Sequence, residues 1–249
     1  MRYFLELAFN GSRYCGYQEQ ANQSTIQSAI EDALSTLLQT PTKIVGCGRT
    51  DSGVHALQFY IHFDTSQTLT NNFIFKLNCI IGKDIVFYNI ILVDKEAHAR
   101  YDARSRSYQY IIDLKRNPFR KETAFFCTYA KQLDLNKMKT AAKLLLKYKD
   151  FTTFCKSRTD TKTKLCDLRK SEWTYLQEKQ QLVYNITADR FLRGMVRLIV
   201  GMCLNVGKGN LMIEEVETAL ESKRILKNAF SAPAKGLFLM DIKYNFPVK

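Results

Sequence analysis

The feature that most constrains the fold is a change of hydrophobic period between two neighbouring segments. Over residues 24–39 the apolar side chains recur at helical spacing, and Ser24 with Gln27 has the form of a capping box. Over residues 57–63 the period becomes two, which puts every second, apolar side chain on one face of a strand. A helix followed closely by such a strand predicts a layered domain that contains both kinds of element.

Further segments of both kinds follow in runs rather than in strict alternation. Strand patterns occupy residues 2–9, 85–93, 107–114, 168–176, 181–188 and 237–245, and helical patterns occupy residues 71–79, 134–148, 190–206 and 213–222. This order predicts an α+β fold with a mixed, largely antiparallel sheet. We expect two similar α/β halves, residues 1–104 and 105–249, to share that sheet and to be flanked by helices.

The charge balance indicates an anionic partner. The chain has 37 Lys+Arg and 24 Asp+Glu, which gives a formal net charge of +13. Such an excess attracts polyanions, of which nucleic acid is the commonest. An anionic membrane surface is the rival, but it requires an apolar span or a basic amphipathic terminal segment, and the sequence shows neither.

The cysteines argue against a disulfide framework and against a structural zinc site. There are seven of them, an odd number, at wide spacings and without a C-x-x-C pair. Met1 leads directly into a predicted strand, without the pattern of a signal peptide. We therefore expect a cytoplasmic protein with reduced thiols, and we predict neither a metal nor a cofactor.

Residues 46–56, G-C-G-R-T-D-S-G-V-H-A, form the segment that carries chemistry. Its glycines allow unusual dihedrals and a close approach of the backbone to a ligand. Asp51 is the single acid, and Arg49 and His55 are its nearest charged or titratable neighbours. Taken alone, the pattern is equally compatible with a glycine-rich turn that Asp51 caps through its own backbone.

The same segment resembles the active-site motif of the TruA-type tRNA pseudouridine synthases, G-A-G-R-T-D-A-G-V-H-A. The chain differs from that motif at Cys47 and Ser52, and both are small substitutions. The resemblance continues at residues 9–20 (Y-x-G-x-x-Y-x-G-W-Q-x-Q in the family), 150–154 (D-F-T-S-F), 191–201 (F-x-x-x-M-V-R-x-x-V-G) and 232–237 (A-P-x-x-G-L). It therefore covers nearly the whole chain and implies the pseudouridine synthase fold.

Two further positions depart from the family pattern. Tyr17 replaces the usual tryptophan of the early loop, and Gly82 lies where the family has proline in L-P-x-D. Neither position belongs to the catalytic motif. The change at Tyr17 puts the range of substrates in question, because the early loop is expected to contact RNA.

The resemblance implies isomerisation of uridine to pseudouridine at positions 38–40 of the tRNA anticodon stem-loop, by an enzyme that is a homodimer. It assigns the nucleophile to Asp51. Whether Asp51 attacks the sugar C1′ or the base C6, or promotes formation of a glycal, is not decided by the residues. The reaction needs no redox partner and no energy source, which agrees with the lack of a nucleotide-binding or metal signature.

Within the apolar segment 190–206, Arg193 and Arg197 lie four residues apart on one predicted helix face. A buried guanidinium without a partner is costly, so we expect it to pair with a carboxylate and to favour the ionised form of that carboxylate. The family's motif arginine corresponds to Arg197, and we predict a pair between Arg197 and Asp51. The alternatives are that Arg197 reaches solvent, or that it pairs with a structural acid such as Asp189.

The resemblance also assigns residues that hold the RNA. Tyr108 corresponds to the tyrosine that stacks on the target base, although alternation with Tyr110 would also fit two core aromatics. Arg49 would fill the gap left by the flipped nucleotide or hold its phosphate. Further RNA contacts are expected from the early loop and from a basic loop, for which a solvated charge run is the alternative: Arg13, Tyr17, Gln18, Lys156 and Arg158.

Two other classes of function stay open. A non-enzymatic RNA-binding protein could keep this fold, its positive charge and its aromatic residues. An aspartate-dependent hydrolase or phosphotransferase would normally place further acids or metal ligands close by, and none accompanies Asp51 in its loop. The retention of Asp51, Arg197 and Tyr108 together favours the synthase.

Overall fold

A computed structural model describes residues 1–156 and 163–246 of the chain. They divide into two compact units. Unit 1 consists of Met1–Ser105 together with the chain from Phe238 on, and unit 2 consists of Arg106–Leu237.

Unit 1 is built on a sheet whose central strand pairs are antiparallel. Its elements are β1 (Arg2–Phe9), α1 (Ile26–Leu38), β2 (Val45–Gly46), β3 (His55–Asp64), α2 (Asn71–Ile80), β4 (Ile85–Val93) and the last strand of the chain, β9 (Leu237–Lys243). Strand β1 lies between β3 and β4 and is antiparallel to both. The short β2 pairs antiparallel with β3, and β9 pairs with β3 in parallel, His55 opposite Phe238.

Helix α1 forms where the periodicity predicts it, but its cap lies one residue later than expected. Thr25 is the N-cap, and it exchanges hydrogen bonds with Ser28 in a capping box. The predicted pair of Ser24 and Gln27 has the same spacing, so sequence alone did not separate the two registers. The buried face carries Ile26, Ile30, Ala33, Leu34 and Leu38.

Strand β3 confirms the predicted alternation only in part. Phe59, Ile61 and Phe63 are buried on the face that the pattern predicts, whereas Leu57, which the pattern places on the same face, is 53% exposed. Tyr60 and His62, on the other face, are also buried, at 1% and 4% exposure. Tyr60 contacts the ring of Tyr244, and His62 stacks on Phe4. Strand β3 is thus a core strand of unit 1, which fixes the loop that precedes it.

Unit 2 is built around strand β5. Its elements are β5 (Ser105–Asp113), β6 (Phe125–Phe126), α3 (Leu135–Leu144), β7 (Leu168–Leu176), β8 (Gln181–Ala188), α4 (Met195–Lys208) and α5 (Ile213–Glu221). Strand β5 pairs antiparallel with β8 and parallel with β6. Strands β7 and β8 form the predicted antiparallel hairpin.

The helices of unit 2 confirm one expectation and correct another. Asp134 caps α3 as predicted, because its carboxylate accepts the backbone N–H groups of Asn136 and Lys137 at 3.0 Å. Helix α4 begins only at Met195, after Gly194 with its positive φ of 72°. Arg193 therefore precedes the helix and is exposed, so that it does not share a helix face with Arg197 as the sequence suggested.

The described residues thus form a mixed α/β protein with mostly antiparallel strands, in agreement with the predicted class. The predicted halves, 1–104 and 105–249, differ from the observed units at the C-terminal end. Strand β9 belongs with unit 1 because it pairs with β3 and because Phe238 stacks on His55. Within the described ranges, no helix is both long and apolar enough to cross a membrane.

Candidate active site

Asp51 is half-buried in the loop that connects β2 to β3 in unit 1. Backbone pairing of the two strands fixes the base of this loop, where the Cys47 N–H donates to the Tyr60 carbonyl at 2.8 Å. The Tyr60 N–H in turn donates to the Cys47 sulfur at 3.4 Å. At the tip, the Val54 N–H donates to the Asp51 carbonyl at 3.2 Å and closes a turn. These hydrogen bonds therefore fix the conformation of the loop backbone without a contribution from a ligand.

A second loop, residues 10–18, lies against the aspartate loop. The Tyr17 N–H donates to the Thr50 carbonyl, and the Ser52 hydroxyl donates to the Tyr14 carbonyl, both at 3.2 Å. These bonds connect the two segments that most resemble the family's motifs. The early loop is thus the support on which the Asp51 backbone rests.

Gly16 makes this contact possible. Its φ is +90°, a conformation that residues with a side chain rarely adopt. A Cβ at this position would lie 2.6 Å from the Thr50 carbonyl oxygen and 3.3 Å from the Asp51 carbonyl carbon. The early loop can approach the aspartate loop this closely only because residue 16 is glycine.

Tyr17 does not present a surface to RNA as the sequence led us to expect. Its side chain is 3% exposed, and its ring lies 4.7 Å from that of Phe59 and against Gly46. Its hydroxyl is buried without a hydrogen-bond partner in the described structure. Burial raises the pKa of this hydroxyl well above its ordinary value, and the nearby Cys47 and Glu31 add to the rise. Tyr17 therefore packs beneath the surface against Phe59 and Gly46, next to the aspartate loop.

Helix α1 holds both loops through a buried carboxylate. Glu31 is 5% exposed, and its carboxylate accepts hydrogen bonds from the Gln27 side chain at 2.9 Å and the Ile44 N–H at 3.1 Å. Lys43 contributes its charge at 2.6 Å. The Gln27 N–H donates to the Tyr17 carbonyl at 2.9 Å. A buried carboxylate that loses its partners is strongly destabilising. The network therefore holds the early loop and the segment that leads to β2 in fixed positions on α1.

Three of the predicted RNA contacts in unit 1 are exposed: Arg13, Gln18 and Arg49. The side chain of Arg13 is 83% exposed and lies 3.6 Å from Asp84, a surface pair that adds little stability. All three lie in the two loops that contact each other, and their exposure makes them accessible to a large ligand.

Arg197 lies in the first turn of α4 in unit 2 and is half-buried. Its Nε–H donates to the Ala232 carbonyl at 2.7 Å, and the Ala232 N–H donates to the Arg197 carbonyl at 3.0 Å. This two-way link fixes the guanidinium through a segment distant in the sequence. The A-P-x-x-G-L motif at residues 232–237 had been recognised, but its role as the support of Arg197 had not.

Tyr110 strengthens the same support. Its hydroxyl donates to the Pro233 carbonyl at 2.8 Å, and its ring packs against Gly236. Burial raises the pKa of this hydroxyl well above its ordinary value, although the positive charge of Arg197 acts in the opposite direction. Tyr110 therefore keeps its proton and acts as a hydrogen-bond donor.

Tyr108 is two residues from Tyr110 on β5, but it is only half-buried. Its ring contacts that of Phe191 edge to face, with centroids 5.1 Å apart. The alternative that both tyrosines are core residues holds for Tyr110 and fails for Tyr108. Phe191, which the sequence analysis gave no role of its own, is the residue that orients Tyr108.

Lys156 is the described member of the predicted basic loop. Its N–H donates to the Arg193 carbonyl at 3.2 Å, and its aliphatic chain crosses Gly194 at the start of α4. This contact places a cation near the first turn of the helix that carries Arg197. Arg158 lies outside the described residues.

Asp189, the alternative partner of Arg197, is occupied by backbone groups. Its Oδ1 accepts the N–H groups of Asp167 and Arg190, both at 2.7 Å. Asp189 is thus engaged in shaping the turn that follows β8. Among residues 1–156 and 163–246, no group of three or more potential metal ligands lies close enough together to hold a metal ion.

Comparison with known proteins gives a consistent result. A family model described as tRNA pseudouridine synthase matches residues 141–245. Proteins called tRNA pseudouridine synthase A from Azobacteroides pseudotrichonymphae and Parabacteroides distasonis are 45% and 44% identical, over 98% and 100% of this chain and 96% and 99% of their own lengths. The Staphylococcus aureus protein of that name is 35% identical over 97% of this chain and 91% of its own length.

These relatives cover both units, including the aspartate loop and the arginine helix. The resemblance that the motifs carry is thus confirmed over the full length. The chain belongs to the TruA-type tRNA pseudouridine synthase family, a family of isomerases.

Proposed function

We propose that this protein converts uridine to pseudouridine in the anticodon arm of tRNA, at positions 38–40, with Asp51 as the nucleophile. The observation that carries the proposal is the placement of Asp51, a half-buried acid in a loop that backbone hydrogen bonds hold on both sides. A carboxylate fixed in this way is pre-organised for attack on one face of a bound nucleotide.

The reaction requires the bond between N1 and C1′ to break, the base to turn, and a bond between C5 and C1′ to form. The hydrogen on C5 then leaves to solvent, and N1 takes up a proton. We assign the stacking surface for a flipped uracil to Tyr108, whose ring is half-exposed and oriented by Phe191. Arg49, Arg13, Gln18 and Lys156 supply cations or polar groups for the RNA, and Arg158 stays a prediction.

We further propose that Arg197 pairs with Asp51 in the folded protein. A guanidinium next to the carboxylate would keep it ionised and oriented. The support is that one of the Arg197 nitrogens is fixed by the Ala232 carbonyl, which leaves its planar fork in a defined direction. In a double-mutant cycle with Arg197→Met and Asp51→Asn, we expect a coupling of about 0.5–3 kcal/mol in stability. Strict additivity would exclude the pair.

The first experiment measures tritium release from tRNA labelled at uridine C5. Wild type should release tritium, and Asp51→Asn should not, while both still bind tRNA. Asp32→Asn, an exposed acid on α1, is the matched control and should release tritium at the wild-type rate. If none of the three proteins released tritium although all bound tRNA, the protein would be an RNA-binding module and the proposal would fail.

We also propose a homodimer, because unit 1 exposes a set of apolar side chains on α2 and β4. Phe75 and Leu92 are 68% and 61% exposed, and Tyr88 is 58% exposed. Light scattering should give the mass of two chains for wild type and of one chain for Tyr88→Glu. Tyr175→Glu, in unit 2, is the control that should stay dimeric.

The seven thiols and the tRNA substrate together favour a cytoplasmic location.

A further inference from the structure

Phe119 is the most exposed large apolar side chain in the described part of the chain. It is 94% exposed and lies in unit 2, between β5 and β6. The surrounding residues 115–121 read K-R-N-P-F-R-K. We refer to them as the basic-aromatic turn. At this exposure the ring of Phe119 buries almost no surface within the described structure and so adds almost nothing to its stability.

Hydrogen bonds hold the backbone of the turn in one conformation, and this conformation exposes the Phe119 ring. The Asn117 side chain accepts the Phe119 N–H at 3.0 Å and caps a 3-10 helix, Pro118–Arg120. Pro118 at the first helical position restricts the backbone further. The ring of Phe119 therefore points from a capped turn and not from a loose loop.

An ion pair anchors the turn to the end of β5. Arg120 lies 2.9 Å from Asp113, whose side chain is 3% exposed. The Gln181 amide of β8 donates to the same carboxylate at 2.8 Å. The charge of Arg120 is thus neutralised by Asp113, and this ion pair fixes the position of the neighbouring Phe119.

The other cations of the turn are available to a ligand. Lys115, Arg116 and Lys121 are exposed, and none of them forms an ion pair with a described residue. Three unneutralised cations around one exposed ring combine an attraction for phosphate with a surface for base stacking. Single-stranded segments of RNA offer both phosphates and exposed bases.

We propose that the basic-aromatic turn binds an unpaired nucleotide of the RNA substrate, with Phe119 stacked on the base and Lys115 and Arg116 against the adjoining phosphates. This inference rests on the proposed function, since it takes tRNA as the substrate. The nucleotide is not the target uridine. Asp113, where the turn is anchored, lies five residues beyond Tyr108 on β5, about 17 Å at the rise of a strand.

The turn therefore forms a second contact that contributes to binding and not to chemistry. A base stacked on an aromatic residue contributes between about 5-fold and about 100-fold to affinity. We expect Phe119→Ala to raise the Kd for tRNA by at least about 5-fold and to leave kcat at saturating tRNA unchanged. Phe119→Trp should restore the affinity, because indole stacks as well as phenyl.

The salt dependence of binding separates the ring from the cations. Phe119→Ala removes no phosphate contact, so the slope of log K against log salt should stay at the wild-type value. Lys115→Gln with Arg116→Gln should reduce the magnitude of that slope by about 1.4–1.8, which corresponds to two phosphates. Met212→Ala, at a 64% exposed apolar residue beside Glu214 and Glu215, is the matched control and should change neither quantity.

The outcomes distinguish this inference from the proposed function. If wild type and Phe119→Ala bind and modify tRNA equally well, the inference is overturned and the synthase stands. If wild type binds no tRNA, both are overturned. A change of oligomeric state in Phe119→Ala at unchanged intrinsic RNA affinity would show instead that the ring packs on a second copy of the chain, and would also overturn the inference.

Discussion

Asp51 and Arg197 are held in place by opposite means. In unit 1 the aspartate is on a loop, which is fixed by backbone groups of residues 14–17 and 47–54 and by the Ser52 hydroxyl. In unit 2 the arginine is on a helix, and its own Nε–H is fixed by the Ala232 carbonyl, which Tyr110 supports through Pro233. The position of Asp51 thus depends on the close approach of two loops, and that of Arg197 on hydrogen bonds to a segment distant in the sequence.

The largest expected effect comes from adding one methyl group to unit 1. Gly16→Ala should lower the free energy of unfolding by roughly 2–5 kcal/mol, because strain at positive φ adds to a clash with the Thr50 carbonyl. Gly209→Ala is the matched control in unit 2, since its φ is +78° but no atom lies within 4 Å of the added Cβ. It should cost only about 1–2 kcal/mol.

Urea denaturation measures both variants, and single-turnover kinetics test the consequence for Asp51. At a temperature where both are folded, Gly16→Ala should lose most of its activity and Gly209→Ala should keep it. Equal losses of stability and activity in the two variants would mean that strain alone matters. The close contact of the early loop with the aspartate loop would then carry no weight.

Acid should act on unit 1 before unit 2. The sequence has three histidines, His55, His62 and His98, and all lie in unit 1. Burial, assisted by the charges of Arg2 and His98, lowers the pKa of His62 from 6.5 to about 4. His62 is therefore protonated near pH 6.5 in the unfolded chain but only near pH 4 in the folded protein.

The free energy of unfolding should therefore fall as the pH drops from about 6.5 to about 4, by at most ~3 kcal/mol, and should not change from this cause above pH 7. Denaturation at pH 7 and 4.5 measures the fall, and His62→Gln should remove most of it. Hydrogen exchange at pH 5 should speed up first in unit 1. Acceleration in unit 2 alone would contradict the assignment.

Much of the fold could be predicted from the sequence, because period and caps are local. The spacing of apolar residues found α1 and β3, and Asp134 was identified as a cap from one residue type at one position. The start of α4 was placed too early, since Gly194 interrupts an apolar run that looks helical throughout. Long-range pairing escaped altogether, as the assignment of β9 to unit 1 shows.

The site divides in the same way. Two short motifs, residues 46–56 and 191–201, predicted Asp51, Arg49 and Arg197 as site residues, because contiguous residues carry each motif. Tyr17 was expected at the surface and is buried, since its covering residue Phe59 belongs to another element. Sequence similarity gives the position of a residue in a motif, but it does not show whether the side chain is buried or exposed.

Two departures from the family motif are neighbours in the structure, and we expect them to compensate each other. Tyr17 is smaller than the usual tryptophan, Cys47 is larger than the usual alanine, and the Tyr17 ring covers the adjacent Gly46. Tyr17→Trp alone should overpack this site and cost about 1–3 kcal/mol. Combination with Cys47→Ala should recover at least about 0.5 kcal/mol in denaturant unfolding. Additive losses would show that the two positions are independent.

The smallest effect gives the cleanest contrast between the units, because it compares two buried tyrosines through the same substitution. Tyr17 in unit 1 has a buried hydroxyl without a partner in the described structure, and Tyr110 in unit 2 donates to Pro233. Removal of an unsatisfied hydroxyl removes a desolvation cost, whereas removal of a bonded one leaves a carbonyl without its donor. Tyr17→Phe should therefore be neutral or raise the free energy of unfolding by up to about 1 kcal/mol. Tyr110→Phe should lower it by about 1 kcal/mol. Equal losses in the two variants would mean that the Tyr17 hydroxyl has a hydrogen-bond partner when the protein is in solution.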